Sequence, residues 1–354
     1  MKIKLALLES DKSYLEAVSA SFETRYNDKL EVYCFTDRDT ALSSLSSIRA
    51  DVFLSAEYFD IEKNAIPSKC AFAYMTDSSG VETVKGEKAI CKFQKADIIY
   101  KQILNLFSEK TDSLFSRSAN TDGVQVIFFT SVSGGTGASS VAAAAALRYA
   151  GKGKKVFYLN LEKLAGTDAF FDGSPQFDMS DVIFALKSRK GSLALKLESC
   201  AAADPSGVCY YAPPKLALDM FELEESDVKV LINELKISGQ YDVIIVDCDF
   251  SLEKSALDMF RNADSVIWVG DGSKISNIKT EMAYKALSLT EQNADYPLTN
   301  RIYLIYNRFS SKTGTTLDQR VGLKSLGGAP KKEHASSKEI INWLSEMTML
   351  DNIP

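Results

Sequence analysis

Histidine is almost missing from this sequence, and its scarcity argues against two large classes of enzyme site. The single histidine among 354 residues is His334, which lies among lysines and serines near the C-terminus. A Ser-His-Asp triad and a histidine-based metal site are therefore not expected. Six cysteines are present without a C-x-x-C pair or a regular spacing. A disulfide framework is not expected either, and the cytoplasm is the predicted compartment.

Long apolar runs and a net positive charge are also lacking. No apolar stretch approaches the ~20 residues that a membrane-spanning helix needs. The apolar run in the N-terminal sequence MKIKLALLESD is too short for a signal peptide. The net charge of −6 gives no overall attraction to nucleic acid or to anionic lipid. We therefore expect no DNA partner and no insertion into a membrane.

The first part of the chain alternates short apolar strands with helical segments, which predicts a parallel sheet with helices on both faces. The predicted strands are residues 3–8, 30–35, 51–55, 71–75 and 89–92. The predicted helices are residues 13–26, 40–48 and 96–107. Residues 1–107 are thus predicted to form one α/β domain. The polar, serine-rich residues 108–122 are the predicted linker, and residues 123–354 are a second predicted α/β domain.

The most informative segment is residues 128–140, FFTSVSGGTGASS, which has the layout of a phosphate-binding loop. An apolar predicted strand at 124–129 precedes it, and an alanine-rich predicted helix at 141–150 follows it. Three glycines allow successive backbone N–H groups to point inward: Gly134, Gly135 and Gly137. The helix N-terminus adds a partial positive charge, so an anion is favoured there. The structural alternative is a plain glycine turn between a strand and a helix.

This loop resembles the deviant Walker motif of the MinD/ParA family, K-G-G-x-G-K-[ST]-[ST]. Aligned on the glycines, Ser133 takes the position of the signature lysine and Ala138 that of the phosphate-loop lysine. Within the family, the pattern is most similar to the CpaE/TadZ group of pilus-assembly proteins, whose loops often read G-G-x-G-[AS]-[ST]-[ST]. The resemblance implies a P-loop parallel sheet and ATP bound by the loop residues Ser133, Gly134, Gly135, Thr136, Gly137, Ala138, Ser139 and Ser140.

Two acids and an Asn-Arg pair follow predicted strands of the second domain. Asp247 ends the apolar strand in YDVIIVDCD, at the sheet edge where a carboxylate holds Mg²⁺ or orients its water. The resemblance implies that Asp247 is the Walker B acid, that Ser139 shares the Mg²⁺, and that Glu162 helps to position the attacking water. It also implies that Asn307 and Arg308 contact adenine. The alternatives are a helix-capping Asp247, an exposed loop at Glu162 and a turn at Asn307.

The first domain resembles the receiver domain of response regulators, a flavodoxin-like parallel sheet. Glu9 matches one of the paired acids after the first strand, Thr76 the hydroxyl after the fourth and Lys92 the lysine after the fifth. The phosphoacceptor position falls on Ser55 or Ala56, and neither is a carboxylate. Without that nucleophile no acyl phosphate can form. We therefore predict a pseudo-receiver that docks or dimerises; ordinary strand-end residues are the alternative.

Together these features predict an ATP-binding, nucleotide-favoured homodimer that marks a position or acts as a scaffold in pilus assembly. It would be cytoplasmic, at a pole or at the inner face of the membrane through partners. ATP hydrolysis should be slow or absent unless Lys163, Lys274 or Arg308 replaces the missing lysines. The alternatives are a ParA-like partitioning ATPase, a response regulator with a nucleotide-binding output domain, a metabolic kinase or ligase, and an interaction protein with an inactive loop.

Overall fold

A computed structural model describes residues 2–110, 123–188, 192–291 and 297–354. Contacts divide the chain into two compact units. The first unit is Met1–Ser116 with Ser188–Ser199, and the second is Arg117–Lys187 with Cys200–Pro354. Most of the predicted linker, residues 111–122, lies outside the described residues. The predicted domain boundaries therefore stay a prediction.

The first unit is built on a six-stranded sheet in the order β2-β1-β3-β4-β6-β5. The strands are β1 Ile3–Leu8, β2 Leu30–Phe35, β3 Val52–Ala56, β4 Ala71–Thr76, β5 Thr83–Val84 and β6 Glu87–Cys91. The helices are α1 Lys12–Tyr26, α2 Arg38–Ile48 and α3 Ala96–Lys110. Every pairing is parallel except the β5–β6 hairpin. The predicted α/β fold with a parallel sheet is confirmed.

Local sequence signals account for the helix starts of this unit. Asp11 precedes α1, and its carboxylate accepts hydrogen bonds from the N–H groups of Ser13 and Tyr14. Asp37 caps α2 in the same way through the N–H of Thr40. Each cap pairs N–H groups that would otherwise lack an acceptor in the first turn of the helix. The helices therefore begin within two residues of the predicted positions.

The second unit is built on an eight-stranded sheet in the order β14-β13-β12-β7-β11-β8-β10-β9. Its strands are β7 Gln125–Thr130, β8 Val156–Asn160, β9 Ala202–Ala203, β10 Cys209–Tyr210, β11 Val243–Asp247, β12 Ser265–Gly270, β13 Ile302–Phe309 and β14 Lys324–Pro330. The pairings are parallel except between β9 and β10. The carboxyl ends of β7, β11, β8 and β13 therefore meet at one edge of the sheet.

The remaining helices are α4 Ala138–Gly151, α5 Met179–Ser188, α6 Leu193–Cys200, α7 Glu225–Ile237, α8 Lys254–Phe260, α9 Lys274–Thr290 and α10 Ser337–Ser345. α4 is buried all round through a run of small side chains, Val141 and five alanines, and packs against the sheet and against α10. These small side chains let the helix lie close to the strands. Most of α6 belongs to the first unit, where Glu198 pairs with Lys29 at 2.7 Å. In the described residues, no helix is both long and apolar enough to span a membrane.

Candidate functional site

The predicted phosphate loop joins β7 to α4 at the carboxyl edge of the second sheet. Gly135 and Gly137 have φ angles of 81° and 83°, in the left-handed region that favours glycine. Gly137 is also the N-cap of α4, and no side chain caps this helix start. The first N–H groups of α4 are therefore left for water or for a ligand. The strand, loop and helix are confirmed in the predicted order.

Ser131 holds the loop in shape, although sequence analysis did not select it. Its hydroxyl accepts hydrogen bonds from the Thr136 hydroxyl at 2.8 Å and from the Ser133 N–H at 3.2 Å. The same hydroxyl lies 2.7 Å from the carbonyl oxygen of Val269 on β12. One short side chain thus ties both ends of the loop to a neighbouring strand. Nothing in the motif pattern marks this residue, because a serine after a strand is common.

Asn307 and Arg308, at the end of β13, also contact the loop. The Asn307 amide donates to the carbonyl of Thr136 at 2.8 Å, and the Arg308 guanidinium donates to that of Gly135 at 2.8 Å. Asn307 is 4% exposed. A Cβ on Gly137 would lie 2.6 Å from the Asn307 amide nitrogen. The close approach of Asn307 to the loop therefore requires a glycine at position 137. The predicted adenine contact of these residues stays a prediction.

Ser139 and Glu162 lie together beside the loop. The Ser139 hydroxyl, in the first turn of α4, donates to Glu162 at 3.1 Å. Asn160 at the end of β8 orients the same carboxylate: its side-chain amide donates to Glu162 at 3.2 Å, and its side-chain oxygen accepts from the Glu162 N–H at 2.8 Å. Burial is the largest influence on Glu162, and its pKa is raised. The structure thus brings two predicted site residues into direct contact.

Asp247 ends β11 as predicted, and its carboxylate is 1% exposed. One oxygen accepts a hydrogen bond from the hydroxyl of Tyr158 at 2.7 Å. The other oxygen, Oδ1, is buried without a hydrogen-bond partner in the described residues. Burial, with the nearby charge of Glu162, raises the pKa of Asp247 to about 8. A buried carboxylate with one unpaired oxygen is a ready position for a cation.

The loop after β8 supplies no cation to the positions of the two missing lysines among the described contacts. The ammonium group of Lys163 donates to the carbonyl of Met220 at 2.6 Å and lies 5.3 Å from the centre of the Phe221 ring. Lys274 begins α9 and is exposed. Of the three candidates named from the sequence, Arg308 is the one with a contact to the loop among the described hydrogen bonds.

A cavity of about 370 Å³ lies at the same carboxyl edge, beside the end of β13. Its walls are mostly apolar: Tyr306, Phe309, Ser311, Thr316, Ser325, Gly327, Gly328, Ala329 and Pro330. Tyr306 and Phe309 flank the Asn-Arg pair in the sequence. The volume falls in the ~300–1,000 Å³ range of small-molecule sites. Sequence analysis missed this cavity because the glycine-rich β14 has no apolar run.

In the receiver-like pocket of the first unit, charged side chains form ion pairs with one another. Lys92 pairs with Glu9 at 2.8 Å and with Asp77 at 2.6 Å. The hydroxyl of Tyr58 donates to Glu9 and accepts from the N–H of Ser10. Burial raises the pKa of Glu9, but the hydrogen bonds from Lys92 and Tyr58 outweigh it and the net pKa is lowered. The predicted acid and lysine are therefore brought together as an internal ion pair.

The phosphoacceptor position of this pocket carries no acceptor carboxylate. Ser55 and Ala56 end β3 and are fully buried. The Ser55 hydroxyl donates to the carbonyl of Ala56 at 3.2 Å. Thr76 ends β4 and accepts a hydrogen bond from the N–H of Ser78 at 3.3 Å. These contacts are those of ordinary strand-end residues.

Comparison with known proteins supports the two resemblances domain by domain. Residues 1–108 match the model of the TadZ-like receiver domain family. None of the curated proteins matches the sequence. A solved ParA-family ATPase from Chlorobium tepidum is 20% identical, with a TM-score of 0.52 over 65% of this chain and 96% of that one. A chain of the MinC:MinD cell division protein complex from Aquifex aeolicus is 18% identical, with a TM-score of 0.50 over 65% of this chain and 94% of that one.

At these identities the solved structures establish only the fold of the larger unit. The family match supports the receiver-like fold of the smaller unit. The predicted resemblances are confirmed at that level. Residues 1–108 are similar to the TadZ-like receiver domain family, and the C-terminal two thirds of the chain have the fold of the MinD/ParA ATPases.

Proposed function

We propose that this protein binds ATP with Mg²⁺ at the loop of residues 133–140, and that the nucleotide favours a homodimer that serves as a scaffold in pilus assembly. The observation that carries the proposal is the glycine loop at the open N-terminus of α4, beside a buried Asp247 whose Oδ1 is unpaired. The loop offers backbone N–H groups to an anion, and the acid offers an oxygen to a cation. Nucleotide triphosphate with Mg²⁺ supplies both charges.

The shape of the loop supports a phosphate site. A Cβ on Gly134 or Gly135 would meet nothing within 4 Å, so both glycines face open space. The helix dipole adds a partial positive charge at the same place. A phosphate group could therefore approach the backbone directly.

The residues around Asp247 fit a magnesium ion. Mg²⁺ prefers oxygen ligands and is commonly held by one or two carboxylates together with phosphate oxygens. Asp247 and the Ser139 hydroxyl would hold it here. The described residues contain no cluster of three His, Cys, Asp or Glu side chains that could hold a metal alone, so phosphate oxygens and water would complete the shell. The ion would shield phosphate charge that the loop cannot neutralise.

The base would lie in the cavity beside β13. Its apolar walls suit one face of a purine, and the neighbouring Asn307 carries an amide that can donate and accept on a base edge. In the structure this amide donates to Thr136. Contact with adenine through Asn307 would therefore use its oxygen, or would require the side chain to turn.

Slow turnover follows from the loss of both lysine positions. A cation that stabilises the transferring phosphoryl group is worth ~10³–10⁵ in rate, and Ser133 and Ala138 supply none. Glu162 and Asp247 remain as the proposed residues that position water and metal. The expected activity is nucleotide binding with weak or no hydrolysis, and a steady-state rate of ~1–100 s⁻¹, as in kinases, would contradict it.

Exposed apolar side chains near the site support an interaction surface. Leu164 follows the site residue Glu162 by two positions and is 78% exposed, and Phe221 is 61% exposed. Lys163 connects the two segments through its bond to the carbonyl of Met220. Large exposed apolar side chains of this kind are common where a second protein binds. The homodimer and the pilus partners come from the resemblance to the CpaE/TadZ group, and the net charge of −6 argues against DNA as the partner.

Replacing Gly134 by valine tests the nucleotide site. Its φ lies outside the left-handed region and its Cβ would be free of contacts, so the fold should tolerate the change. We expect Gly134→Val to weaken ATP binding by roughly tenfold or more, because a side chain would fill the space that phosphate needs. Gly151→Val, at the other end of α4 and also free of contacts, should bind ATP normally.

Titration calorimetry with ATP and Mg²⁺ measures these affinities. Absence of binding by the wild-type protein at millimolar ATP would refute the proposed function. Sedimentation with and without ATP tests the dimer separately. A protein that stays monomeric with saturating ATP and Mg²⁺ would contradict the scaffold role while leaving the nucleotide site intact.

A further inference from the structure

Arg308 has an unusual backbone conformation next to the phosphate loop. Its φ is 56°, in the left-handed region that costs a non-glycine residue roughly 1–2 kcal/mol. The register between β13 and β14 shifts between Tyr306 and Phe309, so the strand bulges at this point. Bulges commonly redirect a side chain near a functional site. Here the redirected side chain reaches the loop.

The contact that Arg308 makes is weak for a guanidinium. Its Nη1 donates to the carbonyl of Gly135 at 2.8 Å, and the residue is exposed. No ion pair joins Arg308 to an acid among the described residues. A neutral carbonyl uses one of the five guanidinium N–H donors and does not neutralise the positive charge. The remaining donors are available to a stronger acceptor.

Phosphate is the acceptor that fits this position. Guanidinium binds phosphate oxygens through two parallel charge-assisted hydrogen bonds, which are about twice as strong as a neutral bond. Gly135 lies in the segment that faces open space, and both lysine positions of the loop are neutral. Lys163 is held by the carbonyl of Met220. Among the described residues, Arg308 is therefore a cationic side chain that already contacts the loop.

We propose that Arg308 binds the phosphates of the nucleotide, exchanging the Gly135 carbonyl for phosphate oxygens, and so compensates for the missing lysines in binding affinity and not in the rate of hydrolysis. This inference rests on the proposed nucleotide site and goes further, because it assigns Arg308 to the phosphates and not to adenine. The carbonyl oxygen of Gly135 stands in for a phosphate oxygen while no ligand is bound. Arg308 then supplies, from β13, the positive charge that family members supply from the loop.

Three variants test this assignment in the full-length protein. Arg308→Met removes the charge, and Arg308→Lys keeps it. Arg301→Met is the matched control, because Arg301 lies at the opposite end of β13 and also donates to backbone carbonyls, those of Ala263 and Arg261 at 3.0 and 3.3 Å. Thermal unfolding of each variant checks that the fold is kept. If Arg308→Met does not fold, Arg308→Gln takes its place.

Binding of ATP and of inorganic tripolyphosphate, both with Mg²⁺, separates phosphate contact from base contact. We expect Arg308→Met to weaken both ligands by a similar factor, about 10- to 150-fold for one lost charge-assisted contact. Arg308→Lys should recover part of this loss, and Arg301→Met should bind as the wild type. The affinity of Arg308→Met for ATP should also depend less steeply on salt, because one ionic contact is gone.

Four results would overturn the inference. Loss of ATP affinity with unchanged tripolyphosphate affinity would assign Arg308 to the base. Equal loss with an unchanged salt dependence would mean that Arg308 only supports the loop through Gly135. Unchanged binding of both ligands would show that Arg308 does not act in the site. Wild-type protein that binds neither ligand would refute the proposed function, and this inference with it.

Discussion

Replacing Gly137 by alanine should destabilise the second unit by more than its backbone conformation alone requires. The φ of 83° costs a non-glycine residue about 1–2 kcal/mol. The new Cβ would lie 2.6 Å from the amide nitrogen of Asn307, closer than any stable contact. Asn307 must then move and give up its bond to the carbonyl of Thr136. Leaving a buried donor and acceptor unpaired costs about 1–3 kcal/mol, so the total is about 2–5 kcal/mol.

Gly135→Ala is the matched control for the energetic cost of the left-handed backbone conformation. Its φ is 81°, and a Cβ there meets nothing within 4 Å. It should cost only the about 1–2 kcal/mol of the left-handed conformation. The difference between the two variants isolates the clash with Asn307. In an Asn307→Ala background the clash disappears, so Gly137→Ala should cost no more there than Gly135→Ala costs in the wild type.

Urea unfolding, monitored by tryptophan fluorescence, measures these differences in the free energy of unfolding of the second unit. The chain has two tryptophans, and both lie in the second unit, Trp268 on β12 and Trp343 on α10. A separate signal is needed because a protein with two units does not unfold as one two-state system. Equal unfolding midpoints for Gly137→Ala and Gly135→Ala would refute the argument. So would an unchanged cost of Gly137→Ala in the Asn307→Ala background.

Three further predictions concern titration, the internal ion pair and phosphorylation. Because the folded-state pKa of Asp247 is about 8 and its unfolded value is near 3.9, the folded protein binds more protons between these values. Its stability to urea should therefore fall as pH rises from about 4 to 8, and Asp247→Asn should flatten this decline. Lys92→Met leaves the buried Glu9 carboxylate without its counter-ion, which should cost about 3–5 kcal/mol of stability and lower the thermal midpoint measured by circular dichroism. Adding Glu9→Gln to this variant should restore part of the lost stability. Acetyl phosphate should leave no acid-labile adduct in residues 1–107 by mass spectrometry, because Ser55 is not a carboxylate; a stoichiometric adduct would contradict the pseudo-receiver.

Strand positions were predictable because buried parallel strands are short apolar runs that end in polar residues. The sequence of β11 shows this clearly, since four apolar residues lead directly to Asp247. The hairpin of β5 and β6 was missed in part, because its turn uses Lys85 with a φ of 52°. Gly86, with a φ of 81°, completes this turn, but Lys85 stands where Asn or Asp would make an Asn-Gly or Asp-Gly turn easy to recognise. β14 was missed for a related reason, since its glycines interrupt the apolar pattern.

Site residues were predictable where a local sequence motif identifies them. They were not predictable where their role depends on a contact between distant parts of the chain. The glycines of the loop follow from one local segment. The bond from Asn307 to Thr136 joins residues 171 positions apart, and the bond from Tyr158 to Asp247 joins residues 89 positions apart. No local pattern encodes such pairs. The same holds for Tyr58, whose hydroxyl covers Glu9 across the receiver-like pocket.

The two sites of this protein differ in whether their charges are already balanced. In the receiver-like pocket, Lys92 lies between Glu9 and Asp77, and the net effect is a lowered pKa for the buried Glu9. In the second unit, the half-buried Glu162 lies near the buried Asp247, and both pKa values are raised. A lowered pKa means that the folded protein stabilises the carboxylate, and a raised pKa means that it does not. The first pocket is therefore complete without a ligand. The second gains electrostatic stability when a cation arrives, which is the physical reason to look for ATP and Mg²⁺ there.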